Sequence, residues 1–170
     1  MAAVVYSVLT VCTGNICRSP MAEALLLNAF TKAGVTARVD SAGISDEEAG
    51  NPIDPRARRA LASHGIPGKP HHEARLVTAE DMANFDLVLP MTAYHARALR
   101  RLAAKSGAAP AIRMMRSFDP AAPLIDDVED EHLLDVEDPW YGGPRDFATC
   151  LTELVAAIPG VVDYVQGQAA

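Results

Sequence analysis

The chain has 170 residues, of which 49% are hydrophobic, and its formal net charge at pH 7 is -7. This length supports one sizeable hydrophobic core but is short for two, so a single domain spanning 1–170 is expected. The acidic balance argues against a nucleic-acid binder and against a protein that binds anionic membranes, because both need a broad basic surface. A small local site for an anion is still compatible with this charge.

Cysteine usage and the amino terminus indicate the compartment. The three cysteines are an odd number, and a domain of this size does not depend on disulfides, so a reducing, cytoplasmic setting is expected. Residues 1–6 lack the basic start of a signal peptide, and the apolar run 4–11 is too short to span a bilayer. No targeting segment is predicted, while export by a route without a signal peptide stays open. The cysteines are therefore candidates for chemistry.

The first part of the chain predicts a strand, a loop and a helix. Residues 4–11 are β-branched and apolar and end at a Thr/Gly/Asn cluster, which is typical of a buried parallel strand before a turn. Ser19 occupies a position typical of a helix N-cap, and Pro20 suits the first helical turn. Good helix formers continue to Lys32, and Gly34 is expected to end the helix.

Weaker signals of the same kind predict the remaining elements. They are an extended segment at 36–39, a loop at 43–52, a helix from Asp54-Pro55 to about His64, a capping box at 78–81, strands at 86–91 and 112–115, a helix at 92–105 that ends at Gly107, and a closing helix at 144–157. Pro159-Gly160 is expected to kink or interrupt that last helix. The alternation favours an α/β three-layer sandwich, with a central four-stranded parallel sheet, helices on both faces and a phosphate-binding loop after the first strand.

The loop after the first strand has the composition of an oxyanion site. Between Cys12 and Arg18 lie Gly14 and Asn15, which tolerate left-handed backbone angles, so the loop can curl with its N–H groups pointing inward. The N-terminus of the next helix adds positive potential there, and with Arg18 it stabilises a Cys12 thiolate. The Arg18 fork suits two equatorial phosphoryl oxygens, and Ser19 is expected to donate to the sulfur. Hydrolysis through a cysteinyl-phosphate then needs no metal and no other cofactor.

The residues from Val11 to Pro20 resemble the signature V-C-x-G-N-x-C-R-S-P of the low-molecular-weight protein tyrosine phosphatase family. The likeness continues through Met21-Ala22-Glu23-Ala24, Asp40-Ser41-Ala42-Gly43, Gly50-Asn51-Pro52, His64-Gly65-Ile66-Pro67, His72-Glu73-Ala74-Arg75, Phe85-Asp86 and Asp138-Pro139-Trp140-Tyr141-Gly142. The resemblance implies a bacterial-type member that hydrolyses phosphotyrosine in protein substrates without a metal. It also implies a monomer, with weak self-association left open.

The general acid is chosen by this resemblance. Residues 126–138 contain eight acidic side chains and no Lys or Arg, so composition cannot choose among them. The D-P-aromatic motif of the family implies that Asp138 protonates the leaving group and later deprotonates water. Pro139 restricts Asp138 to an extended conformation, while Trp140 and Tyr141 are expected to form aromatic walls around a flat substrate ring.

The resemblance implies further site roles. The phosphate-binding residues would be Thr13, Gly14, Asn15, Ile16, Cys17 and Ser19, and the residues that brace the loop would be Asn15, Ser41 and His72. Ile16 occupies a position where relatives that act on phosphotyrosine carry an aliphatic residue and arginine phosphatases of the same fold carry threonine. In the family, a pair like Cys12 and Cys17 forms a reversible disulfide that protects the nucleophile, so this bond is a hypothesis here, with simple packing of Cys17 as the alternative.

Several other functions compete with this interpretation. A small buried core residue is the alternative for Cys12, and it is the prediction for Cys150. A metal site at His71 and His72 lacks C-x-x-C or H-x-x-x-H spacing. An arsenate reductase on this fold needs two further cysteines in the middle of the chain, whereas 70–140 contain none. A non-catalytic phosphate-binding module would be expected to lose the nucleophile or the acid, and an arginine phosphatase is disfavoured by Ile16 and the paired aromatic residues.

Two features depart from the family pattern. Thr92 stands where many relatives carry an acidic residue, so any role of that carboxylate near the pocket is in doubt, although threonine still caps a helix. The segment 120–137 is also longer and more acidic than usual. It is expected either to alter the docking of peptide substrates or to have no effect.

Overall fold

The computed structural model describes residues 4–169, so the first half of the segment 1–6 considered for a targeting signal lies outside the described residues. The strands are β1 (Tyr6–Cys12), β2 (Ala37–Gly43), β3 (Leu87–Pro90) and β4 (Ala111–Ile112). The α-helices are α1 (Arg18–Ala33), α2 (Pro55–Ser63), α3 (Ala79–Asn84), α4 (Ala93–Ser106) and α5 (Pro144–Ala169). Short 3-10 helices cover Met115–Phe118, Val128–Leu134 and Pro139–Tyr141.

The four strands form one parallel sheet in the order β2-β1-β3-β4. Cys12 at the end of β1 pairs in register with Gly43 at the end of β2, and Val11 pairs with Pro90 at the end of β3. The chain passes from β1 to the edge strand β2 and then crosses over to β3, on the other side of β1. The direction of strand order therefore reverses at β1, and ligands bind in such sheets at the carboxyl end of the strand where this reversal occurs. The predicted α/β sandwich with a loop after the first strand is confirmed.

Helices cover both faces of the sheet. On one face, α1, α2 and α5 contact one another and bury the larger core, which includes Val8, Leu87 and Leu89. On the other face, α3 and α4 pack over Leu9 and Val88. Successive residues of β1 and β3 point to opposite faces, so strands covered on both sides need apolar residues at nearly every position. This explains the continuous apolar runs in the sequence.

The last helix differs from its prediction. Pro159 and Gly160 lie inside α5, which continues to Ala169 without interruption. Proline removes one hydrogen bond of the helix, but Ile158 and Val161 on either side are buried in the core, and this packing holds the helix together. Gly160 is required because a Cβ there would overlap the carbonyl oxygen of Phe118. By length and hydropathy α5 resembles a membrane-spanning helix, but its apolar face packs in the core of this fold.

Candidate active site

The loop that follows β1 curls at the carboxyl edge of the sheet. Asn15 has a φ of 62°, the left-handed backbone angle expected there, whereas Gly14 does not. Gly14 instead provides space, since a Cβ on it would lie 3.1 Å from Cγ of Glu48. At the adjacent strand end, a Cβ on Gly43 would overlap the carbonyl oxygen of Thr13. The absence of a side chain at Gly43 therefore lets β2 support the curled loop from below.

The nucleophile candidate lies at the base of this loop. Cys12 is buried, and its Sγ is 3.0 Å from Ser19 Oγ. Ser19 was predicted as the helix N-cap, but α1 begins at Arg18, and its N-cap residue Cys17 makes no side-chain capping bond. The prediction was wrong because the Ser19 hydroxyl contacts the sulfur instead. The first N–H groups of α1 are thus left without a side-chain cap next to Cys12, where they favour an anion.

Arg18 is buried and its guanidinium is oriented by fixed partners. Its Nη1 donates to the carbonyl oxygen of Val136 at 3.0 Å, and its Nη2 lies 3.4 Å from Thr13 Oγ1. The same Nη2 is 3.4 Å from Oδ2 of Asp138. Within residues 4–169, Arg18 Nε has no hydrogen-bond acceptor. A buried donor without a partner costs free energy, so this nitrogen is available for an oxyanion in the pocket.

Asp138 faces Arg18 across the pocket. Its backbone is extended before Pro139, with a φ of -75° and a ψ of 114°, as the Asp-Pro dipeptide predicts. Oδ1 accepts a hydrogen bond from the N–H of Trp140 at 3.1 Å, which leaves Oδ2 directed toward Arg18. About a third of the side chain (36%) is exposed, so the carboxyl group can exchange protons with water and with a ligand.

The pocket is lined by residues from the loop, from the segment after β2 and from the segment around Asp138. These residues are Cys12, Thr13, Gly14, Ile16, Cys17, Arg18, Glu47, Glu48, Asp138, Trp140 and Tyr141. The Trp140 and Tyr141 rings pack edge to face, with centroids 4.9 Å apart. Arg56 donates to the carbonyl oxygen of Trp140 at 3.1 Å and thereby ties this wall to α2. The aromatic wall and Ile16 thus line the same pocket and offer it apolar surface.

A buried hydrogen-bond network lies behind the loop. Asn15 and Ser19, predicted among the phosphate-binding residues, do not line the pocket with their side chains, because both are completely buried. The Asn15 amide nitrogen donates to Ser19 Oγ and to Ser41 Oγ, at 2.9 Å in each case. The His72 ring donates to the Asn15 carbonyl oxygen at 2.7 Å. The predicted contacts among Asn15, Ser41 and His72 are thus present, and they hold the left-handed residue in place.

The network ends at a buried carboxylate that sequence reasoning did not assign to the site. Ser41 Oγ donates to Glu23 Oε1 at 2.7 Å, and Glu23 is fully buried. Lys69 Nζ lies 2.8 Å from the other oxygen as an ion pair, outside the angles of a hydrogen bond. Burial alone would lower the pKa of Lys69, but the Glu23 carboxylate and then Asp40 raise it. A signal was present, because Glu23 is the single acidic residue in an apolar stretch of α1.

The other two cysteines, Cys17 and Cys150, are also buried. Burial, assisted by the Asp54 carboxylate, raises the pKa of the Cys17 thiol far above its ordinary value. Burial also raises the pKa of Cys150 to about 12, against the opposing effect of Arg18. Both are free, protonated thiols at neutral pH, and Cys150 packs in the core as predicted. The Cys12–Cys17 disulfide stays a prediction.

Comparison with known proteins identifies the family. The family model described as low molecular weight phosphotyrosine protein phosphatase matches residues 7–169. A low molecular weight protein-tyrosine-phosphatase from Streptomyces coelicolor is 42% identical over 97% of this chain and 99% of that protein. A human low molecular weight phosphotyrosine protein phosphatase is 41% identical over 88% of this chain and 89% of that protein.

A solved structure with the same fold is that of a Drosophila arginine phosphatase. It superimposes with a TM-score of 0.79 at 28% identity and covers 92% of this chain and 96% of that one. The shared architecture therefore includes proteins named for a different phosphorylated residue. On the match of the family model to nearly all of its length, this chain belongs to the low molecular weight phosphotyrosine protein phosphatase family.

Proposed function

We propose that this protein is a metal-independent phosphotyrosine-protein phosphatase in which Cys12, Arg18 and Asp138 carry the chemistry. One observation supports the proposal most strongly: Cys12, Arg18 and Asp138 line a single cleft with an aromatic wall, and the buried Nε of Arg18 has no hydrogen-bond partner among the described residues. A thiolate, a guanidinium and a proton donor are what the cleavage of an aryl phosphate needs. Phosphorylated proteins are the substrates that family membership implies.

In the first step, the Cys12 thiolate attacks phosphorus in line with the aryl oxygen. The new S–P bond forms as the P–O bond breaks, and Asp138 gives its proton to the departing phenolate oxygen. Arg18 and the N–H groups at the start of α1 hold the charge on the equatorial oxygens. Because these donors are already in place, little reorganisation is needed during the transfer.

In the second step, water attacks the cysteinyl-phosphate. Asp138, now a carboxylate, takes a proton from the water, and the S–P bond breaks to release inorganic phosphate. The sulfur leaves as a thiolate, and the hydroxyl of Ser19, 3.0 Å away, donates to it. Ser19 accepts from Asn15, so its single proton is shared between the sulfur and the Ala42 carbonyl oxygen, which lies 3.3 Å away. A thiolate is the stronger acceptor because it is charged.

Steady-state hydrolysis of an aryl phosphate and of phosphotyrosine, phosphoserine and phosphoarginine peptides tests the proposal. Cys12→Ser is expected to abolish turnover, and Asp138→Ala to lower kcat on phosphotyrosine peptides by about 10²-fold to 10⁴-fold. Asp130→Ala, which removes an exposed acid from the same segment, is the matched control. Full turnover by Cys12→Ser or a strict requirement for a divalent metal would refute the proposal.

Phosphoarginine is the second substrate to compare. The Drosophila arginine phosphatase shares the fold, and the carboxylates of Glu47 and Glu48 at the pocket opening would attract a guanidinium group. Ile16 and the paired aromatic residues favour the aryl ester instead. Faster turnover of phosphoarginine than of phosphotyrosine peptides would overturn this preference. Loss of aryl preference in Ile16→Thr would support the role given to Ile16, and an unchanged preference would remove it.

A further inference from the structure

A buried histidine contacts the phosphate-binding loop from the opposite side to the Asn15 network. His95 is the third residue of α4, and its side chain is 1% exposed. Its Nδ1 accepts a hydrogen bond from the N–H of Thr92 at 3.2 Å, and its own N–H donates to Thr92 Oγ1 at 3.3 Å. Its Nε2 lies 2.8 Å from Thr13 Oγ1. Because Nδ1 is an acceptor, the proton is on Nε2, which donates to Thr13.

Thr13 connects this histidine to the guanidinium of Arg18. Its hydroxyl oxygen accepts from His95 Nε2 and lies 3.4 Å from Arg18 Nη2. A hydroxyl oxygen has two lone pairs, so these two donors occupy its accepting capacity. The position of Thr13 Oγ1 is therefore set by the His95 ring, and it defines one of the few fixed contacts of the Arg18 guanidinium.

The charge state of the ring suits this role. Burial and, to a smaller extent, the Arg18 guanidinium lower the pKa of His95 to about 3. A protonated ring would lose the acceptor that binds Thr92 and would place a second cation beside Arg18. Arg18 is the charged group that faces the ring, and the Asp135 carboxylate at the same helix end accepts from the N–H of Ala93 instead.

We propose that His95 is a positioning residue for phosphoryl transfer. Its Nε2–H holds Thr13, and through Thr13 it holds the Arg18 guanidinium in the orientation that leaves Nε free for a phosphoryl oxygen. The inference rests on the proposed function of the same cleft. In this arrangement, a neutral histidine in the first turn of α4 orients Arg18 at the start of α1.

Kinetics and oxyanion binding of matched variants test this role. His95→Leu removes both ring hydrogen bonds, His95→Gln keeps a donor and an acceptor, and Thr13→Val removes only the hydroxyl and leaves the α4 cap intact. The control is His132→Gln, which replaces an exposed histidine in the acidic segment 120–137. The expected loss in kcat is about 10-fold for His95→Leu and for Thr13→Val, as for one hydrogen bond lost at the transition state. His95→Gln should recover part of it.

Affinity for orthovanadate and inorganic phosphate, measured by calorimetry, separates positioning from mere stability. Both affinities are expected to fall in His95→Leu and Thr13→Val, vanadate more steeply, since it resembles the transition state. The double variant should lose no more than either single variant, because the two residues act through one contact. Unchanged affinities and kcat in a less stable His95→Leu, or additive losses, would overturn the inference. Absence of turnover by the wild-type enzyme would instead refute the proposed function.

Discussion

Acidification is expected to destabilise this fold through His95. The pKa of this histidine is about 3 in the folded chain and 6.5 in the unfolded chain. Between these values the unfolded chain binds a proton that the folded chain does not, so the free energy of unfolding decreases as the pH falls. The contribution is fully present only well above pH 6.5, and lowering the pH from 7 to 5 removes about 2 kcal/mol.

Denaturant unfolding of the wild type and of His95→Gln at pH 7, 6 and 5 measures this effect. The variant lacks the titrating group, so its stability should decline less over this range, by about 2 kcal/mol. Two carboxyl groups also have lowered pKa values: Arg56 lowers the pKa of Asp54, and Arg75 lowers that of Asp81 against the effect of burial. Their contributions to the free energy of unfolding are lost only at a more acidic pH than that of the histidine. His132→Gln should decline like the wild type. Parallel curves for His95→Gln and the wild type would refute the reasoning.

Three further changes have defined outcomes. Ser19→Ala should slow hydrolysis of the cysteinyl-phosphate about 10-fold, because the departing Cys12 sulfur loses its hydrogen-bond donor. The intermediate should then accumulate, and an unchanged burst of released phenol in rapid-quench experiments would contradict this. Lys69→Met should lower the free energy of unfolding by about 2 kcal/mol, because the buried Glu23 carboxylate loses its ion pair. Adding Glu23→Gln should restore part of this stability, and additive losses in the double variant would contradict the pairing. Gly43→Ala should abolish vanadate binding while circular dichroism stays native, and retained binding would exclude the expected overlap.

Local signals explain why the first strand, loop and helix were predictable. The apolar run, the glycine-containing loop and the helix formers are adjacent in sequence, and the observed elements, Tyr6–Cys12 and Arg18–Ala33, begin and end within a few residues of the prediction. The error at Ser19 has a tertiary cause, because its hydroxyl contacts the sulfur of Cys12 rather than a helix N–H. The fourth strand is shorter than predicted, since residues from Met115 onward form a 3-10 helix instead.

Site residues that act across the fold were less accessible to sequence reasoning. Thr13 and His95 are 82 positions apart and meet only because β1 and β3 are neighbours in the sheet. Glu47 and Glu48 lie in the predicted loop 43–52, and they line the pocket only because of the path that this loop takes after β2. Arg56 of α2 supports Trp140, which is 84 positions away in the sequence. In each case the sequence contains the residue but no local pattern that reports its partner.

The attachment of the acidic segment near its end has a consequence for how this protein can diverge. Val136 donates to the carbonyl of Met91 at 2.8 Å and accepts from Arg18, and Asp135 accepts from Ala93. These anchors fix the backbone just before Asp138, independently of the preceding residues. Changes of length and charge in the mostly exposed residues 120–130 are therefore expected to leave the general acid in place. The end of the segment is more constrained, because Glu131, which pairs with Arg100, and Leu134 are buried.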